Sequence, residues 1–206
     1  MSKLVCLWLL IPLLAGCGQG GNSANSSSSS GASAKSLTIV GPGGSVGIGD
    51  SLDAAKKAFP PPAGATTFDK SMAFAILNKQ GWTWGLKDQA FEVALQNGKV
   101  CAIAVTGGSA SDEPSKTISQ IGEPTRKAVG KQASAYVWEA GKNARILLCL
   151  GPKAIIVPNG SMTLIGDKED LKVLNYNADD PSIFVKQMDG AAQQLEDLQK
   201  SNKAKK

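Results

Sequence analysis

The chain has 206 residues, of which 19% are charged and 5% aromatic, and it contains no histidine. That absence removes the commonest general base and a common metal ligand, so Ser-His-Asp, Cys-His and His-ligated metal chemistry are excluded, and no Ser-x-x-Lys sequence is present to replace them. The formal charge of +5 belongs to the two ends: Lys3 and the lysines at 200, 203, 205 and 206 account for the whole excess, the body is neutral, and no basic stripe interleaved with aromatics argues for nucleic acid.

Met1, Ser2 and Lys3 make a short positive start, Leu4 to Leu14 is an apolar run interrupted by Pro12, and Leu14-Ala15-Gly16-Cys17 closes it with small residues before a cysteine. This is the layout of an export signal, and the run is far below the roughly 20 residues a membrane-spanning helix needs. The Leu-Ala-Gly-Cys ending resembles the lipobox of bacterial lipoproteins. That resemblance implies cleavage between Gly16 and Cys17, lipidation of Cys17 and attachment to a membrane through it. Gly18 to Ser36 is rich in Ser, Gly, Asn and Ala and carries one charge, Lys35, a flexible tether with a root-mean-square span of roughly 25 Å. Gly18 does not resemble the aspartate retention signal of inner-membrane lipoproteins, which favours the outer membrane in a cell that has one.

Leu37 to Val40 reads as a strand. The Gly41-Pro42-Gly43-Gly44-Ser45-Val46-Gly47-Ile48-Gly49 stretch lacks the Gly-Lys-Ser/Thr of a phosphate loop, so its glycines are assigned to turns. Asp50 is the expected N-cap of a helix that turns Leu52, Ala55 and Phe59 inward and Lys56 and Lys57 to water. Pro60-Pro61-Pro62 stops it. Met72 to Leu77 fits a strand or a short helix equally. Trp82-Thr83-Trp84 and Phe91 to Leu95 read as strands, Asn97-Gly98 as a two-residue hairpin turn, and Val100 to Thr106 as the returning strand. Gly107 to Ser115 is a loop.

A similar plan follows. Ser115 to Ile121 reads as a short helix ended by Gly122-Glu123-Pro124, Ala135 to Trp138 as a strand, Gly141-Lys142-Asn143 as a turn, and Ala144 to Leu150 as the next strand. Gly151-Pro152-Lys153 turns the chain into Ala154 to Val157. Asp167 is the expected cap of a helix through Leu174, and Asp179-Asp180-Pro181 starts another. Phe184, Met188, Ala191, Leu195 and Leu198 form one narrow apolar stripe on it, for docking on the sheet or for pairing with a partner helix. The fold class is therefore α+β, an antiparallel sheet with short helices packed on it, two degenerate helix-plus-hairpin repeats and a C-terminal helix. By segment, 1–16 is the export signal, 17–36 the lipidated cysteine and tether, and 37–178 the domain, with repeats of about 37–110 and 111–165. Residues 179–199 form the terminal helix and 200–206 a Lys-rich disordered tail.

The order helix, Gly/Pro break, tryptophan strand and hairpin rests on Ile48 to Leu52 with Trp82 and Trp84, then on Ile121 to Thr125 with Trp138. It resembles the repeat of β-lactamase-inhibitor-like proteins and of small outer-membrane lipoproteins of the SmpA/OmlA type. The resemblance implies a protein-binding role, as inhibitor or envelope-assembly accessory, and carries over no partner-contacting residue. Trp82 and Trp84 share one face of a strand, either as core or as an aromatic platform for a glycan or protein. Cys101 and Cys149 are either a disulfide, as an exported chain permits, or buried thiols. The acid pairs Asp112-Glu113, Glu169-Asp170 and Asp179-Asp180 fit helix starts. The reading that follows is a lipid-anchored, non-enzymatic envelope protein that binds another protein, with no cofactor and no metal. A glycan or small-ligand binder using Trp82 and Trp84 is the alternative, and a carboxylate hydrolase the third.

Overall fold

The computed structural model describes residues 37–107, 114–150, 160–174 and 179–204. The export segment, Cys17, the tether, Asp112-Glu113 and the strand expected at Ala154 to Val157 lie outside them. A hairpin of β1 (Thr38–Gly41) and β2 (Gly44–Gly47) leads into α1 (Leu52–Ala58). Strands β3 (Thr66–Phe68), β4 (Gln80–Leu86), β5 (Gln89–Gln96) and β6 (Lys99–Thr106) follow, with a 3₁₀ turn at Ala75–Leu77 between β3 and β4. Then come α2 (Pro114–Ile121), β7 (Arg126–Val129), β8 (Ala133–Ala140), β9 (Asn143–Leu150), β10 (Ser161–Ile165), α3 (Lys168–Val173) and α4 (Pro181–Ala204).

The large sheet has eight antiparallel strands in the order β3-β4-β5-β6-β10-β9-β8-β7. Each repeat is thus a helix followed by four strands, and the two repeats join through their last strands. The register shows a local two-fold axis. Ile103 pairs with Leu164 and Val105 with Met162, around the central pair Ala104 and Thr163. The same axis relates the bond from Gly107 N–H to the Gly160 carbonyl (3.2 Å) to the one from Gly166 N–H to the Cys101 carbonyl (2.8 Å). A second signature is the indole. Trp84 of β4 donates to the carbonyl of Phe59, the residue after α1, at 3.0 Å, and Trp138 of β8 donates to that of Gly122, the residue after α2, at 2.9 Å. Each tryptophan therefore closes its own repeat by satisfying a helix-end carbonyl that has no partner within the helix.

Helices and hairpin cover one face, where Ala55, Phe59, Ile39 and Val46 meet Trp82, Trp84, Phe91, Ile103 and Leu164. The opposite face is built largely of alanine: Ala94, Ala102, Ala104, Ala133, Ala135 and Ala144. Phe74 of the β3–β4 connection covers its first repeat and Val185 of α4 its second, with Leu171 of α3 in the same cluster. Small side chains let backbone come close on this face, so a loop suffices as cover.

Several expectations need correction. The N-cap of α1 is Ser51, whose hydroxyl accepts from Ala54 N–H at 3.2 Å, while the Asp50 carboxylate accepts from Gly47 N–H at 2.8 Å and closes the preceding turn. Lys56 is half-buried, its ammonium 5.0 Å from the centre of the Trp82 ring, a cation–π contact. Strands β2, β3, β7 and β10 were not expected. The first three are short and polar or glycine-rich, and β10 lies between β6 and β9. Helix α4 continues to Ala204, taking Lys200 and Lys203 out of the expected tail. Its docked side is Pro181 and Val185, both buried, with Phe184 and Met188 half-buried; Ala191 is exposed and Leu198 is 61% exposed. Among its described side chains the stripe thus docks at its start, because a helix packed on a sheet uses the broader 3.6-residue face rather than a coiled-coil seam.

One carboxylate fixes that docking. Asp189 accepts from the N–H groups of Lys131 (2.7 Å), Gln132 (2.8 Å) and Ala133 (3.1 Å) in the β7–β8 turn. A side chain at Gly130 would run into Asp189 and Val185. The Lys131 N–H first, then those of Gln132 and Ala133, hold the Asp189 carboxyl below its ordinary value. An acid depressed on folding adds stability that is present above its unfolded value, about 3.9, and is lost as pH falls through the folded one. The α4 dock should therefore loosen below about pH 4, read as faster exchange of the 131–133 amides. Asp189→Asn should weaken it by about 1 kcal/mol at neutral pH; unchanged exchange in that variant refutes the assignment.

Candidate functional site

Trp82 and Trp84 do share a face, but it is the one α1 covers, and they are 5% and 7% exposed. Both pack with Phe91, which stacks on Phe59 at 4.4 Å between ring centroids. A glycan has no ring to lie on, so the aromatic-platform reading is corrected to core. The physical reason is the proline stop: it ends α1 at Phe59, whose ring stacks on Phe91 and whose carbonyl takes the Trp84 indole N–H.

Cys101 and Cys149 are free. Cys101 lies beside Gly166, after one end of β10, and Cys149 beside Gly160, before the other. At about 3.3 Å per residue they are roughly 20 Å apart, whereas a disulfide needs Cα atoms within about 7 Å. Burial pushes both thiols up, which makes them poor nucleophiles. Quantitative thiol labelling of the denatured, unreduced protein should find both free; one bridged pair would contradict the register around β10.

The glycine-rich stretch meets the wrong end of a helix for phosphate. Gly43 donates its N–H to the Ala58 carbonyl at 3.0 Å, and side chains at Gly41 or Gly43 would run into the carbonyl oxygens of Ala58 and Lys57. Phosphate is held by helix N-termini, not by the negative C-terminal end. Of the acid pairs, Asp167 and Glu169-Asp170 sit at the start of α3, where the Asp167 carboxylate accepts from Glu169 N–H at 3.0 Å and Asp170 pairs with Lys79. Asp180 accepts from Ser182 N–H at 3.0 Å at the start of α4, and Asp179 lies 3.9 Å from Arg126. These carboxylates serve helix ends and ion pairs. Among the described residues no group of three metal-ligating side chains comes together.

Two buried charges were not singled out from the sequence. Glu92, 3% exposed, accepts from Ser71 Oγ (3.0 Å), Met72 N–H (2.6 Å) and Ala73 N–H (2.7 Å), with Thr83 Oγ1 at 3.3 Å. It pins the β3–β4 connection onto the sheet. Arg145, 2% exposed, donates to the Thr38 carbonyl at 2.6 Å and to Met162 Sδ at 2.8 Å, and its Nε has no partner among the described residues. Burial alone pushes the guanidinium down to about 10. The available signal was a charge inside an otherwise apolar strand: Phe91-Glu92-Val93 and Ala144-Arg145-Ile146.

What remains open is a cleft of about 140 Å³ at the ends of β4, β5 and β6. Its walls are Phe59, Pro60 and Pro62 after α1, Pro42 of the β1–β2 turn, and Trp84 and Val105 of the sheet, with Gln89 and Thr106 as polar groups. Among the described residues, none of its lining side chains is charged. Drug-sized ligand pockets run to about 300–1,000 Å³, so this one holds a single small apolar group. The sequence signalled the prolines only as a helix stop. No family model, curated protein or solved structure matches the chain.

Proposed function

We propose that this is an exported, lipid-anchored protein of a bacterial cell envelope that binds another protein, as adaptor or inhibitor, and performs no chemistry of its own. The observation that carries the proposal is Leu14-Ala15-Gly16-Cys17 after a short apolar run and before a Ser/Gly-rich tether. Acyl chains on Cys17 contribute about 0.8 kcal/mol per buried methylene, so more than one chain gives lasting attachment, and the tether lets the domain reach a partner above the lipid. The cleft supports the reading in kind: it is apolar, uncharged and sized for one side chain of a partner rather than for a substrate. The two-repeat plan also resembles that of protein-binding envelope lipoproteins.

An alkyne-bearing palmitate analogue fed to the native cells should label the wild type, which should sediment with membranes, while Cys17→Ala should lose label and anchor together. Formaldehyde crosslinking of intact cells should then yield one dominant envelope partner, depleted in Cys17→Ala. An unlabelled wild type defeats the anchor, and equal, partnerless material in both forms defeats the binding role.

A further inference from the structure

The two-fold relation between the repeats bears on the cleft. Its residues Trp84, Ala90, Val105 and Gly107 have counterparts Trp138, Ala144, Leu164 and Gly166 in the second repeat, as the pairings of Trp84 with Phe91 and of Trp138 with Arg145 require. There the counterpart place is filled by the chain itself. Ile48 sits against Gly166, where a Cβ would meet its Cγ2 at 2.8 Å, and Thr38 lies over Arg145, the counterpart of Phe91. The N-terminal segment thus fills this place in the second repeat with Ile48, whereas in the first it supplies only Pro42 as a wall and leaves the cleft open.

We propose that this cleft is the partner-docking point of the molecule and receives one uncharged aliphatic or small aromatic side chain from an extended segment of an envelope protein, as Ile48 fills the counterpart place. The proposal rests on the protein-binding reading above and adds where that binding occurs. Volume decides the size of the group, since an apolar cavity of about 150 Å³ holds one benzene, and the cleft measures about 140 Å³. Chemistry decides its character: a charged side chain would lose its hydration against prolines and aromatics and find no counter-charge among the described lining residues. Gln89 and Thr106 at the rim offer hydrogen bonds to the backbone of an extended visitor, which fixes orientation while the pocket supplies specificity.

The test is photo-crosslinking in intact cells with benzoylphenylalanine at Gln89, exposed at the cleft, and at Lys127, exposed on β7 at the far edge of the sheet. Adducts from position 89 should map to an uncharged, apolar stretch of a single envelope protein, and position 127 should give none with it. Pro60→Asp, which places a charge on the rim, and Val105→Phe, whose larger side chain on the Trp84 side of β6 fills the cleft, should each reduce the adduct about tenfold or more, as expected when one buried apolar side chain loses its pocket. Circular dichroism of both variants checks that they fold. A partner captured at 127 and not at 89 overturns the cleft and leaves the binding role standing. Adducts at 89 with this chain's own peptides overturn it in favour of a second copy, and adducts unaffected by both cleft variants overturn it as well. No adduct at either position, with no partner from formaldehyde, removes both readings.

Discussion

Glu92→Ala is expected to lower the melting temperature by roughly 10 °C, which corresponds to about 3–5 kcal/mol for a domain of this size. The carboxylate is 3% exposed and is the acceptor for Met72 N–H, Ala73 N–H and Ser71 Oγ. Its removal leaves the buried Ser71 hydroxyl and the part-buried N–H groups of Met72 and Ala73 without their acceptor, at about 1–3 kcal/mol for a buried donor and less for the others. It also frees the connection that lays Phe74, 2% exposed, over the alanine face. Glu92→Gln should fall between, because its amide oxygen can take the place of Oε2, which receives all of these donors, but a neutral acceptor is weaker than a charged one. Loss of hydrogen-exchange protection at Met72 and Ala73 should accompany the change. A melting temperature within about 2 °C of wild type would falsify the pin.

Arg145 should behave in the opposite way. Burial pushes its guanidinium down from the ordinary arginine value to about 10, and a base whose value falls on folding binds its proton less tightly in the native chain. Its charge therefore opposes folding fully below about pH 10, and the opposition fades as pH rises from there toward the ordinary value. A displacement of that size corresponds to about 3 kcal/mol at neutral pH, partly offset by the bond to the Thr38 carbonyl. Arg145→Met keeps the volume and removes the charge, so it should be no less stable than wild type and up to about 2 kcal/mol more so, as found when buried charges give way to apolar residues. Arg145→Ala removes the volume too and should fall about 3 kcal/mol below the Met variant through the cavity it leaves. Chemical denaturation of the three proteins decides the matter; a Met variant less stable than wild type by more than about 1 kcal/mol overturns the account. The corresponding place in the first repeat is held by Phe91, 0% exposed, which shows that the fold itself has no need of a cation there.

Local features were legible because their causes are local. Asn97-Gly98 closes β5 and β6, with φ of 53° and 73° at the two residues, and that conformation belongs to those residue types. The triple proline ends α1, Asp167 and Asp180 cap the last two helices, and Trp84 and Trp138 mark the same strand of each repeat. The site was less legible. Pro60 and Pro62 declared a helix end but not the wall of a cleft, since the other walls come from Pro42, Trp84 and Val105, which only folding brings together.

The sequence by itself determined the mixed α+β class, the two-fold recurrence of its elements and the absence of histidine chemistry, because composition, turn residues and the alternation along a strand act over a few residues. Only the tertiary structure decided that β6 pairs with β10 to make one sheet of eight strands, that the tryptophan face is closed, that Cys101 and Cys149 stand at opposite ends of one strand, and that Glu92 and Arg145 are buried with such unequal partners. Each of these depends on which distant segments become neighbours, and that is set by the summed burial of both sheet faces rather than by any residue's own preference.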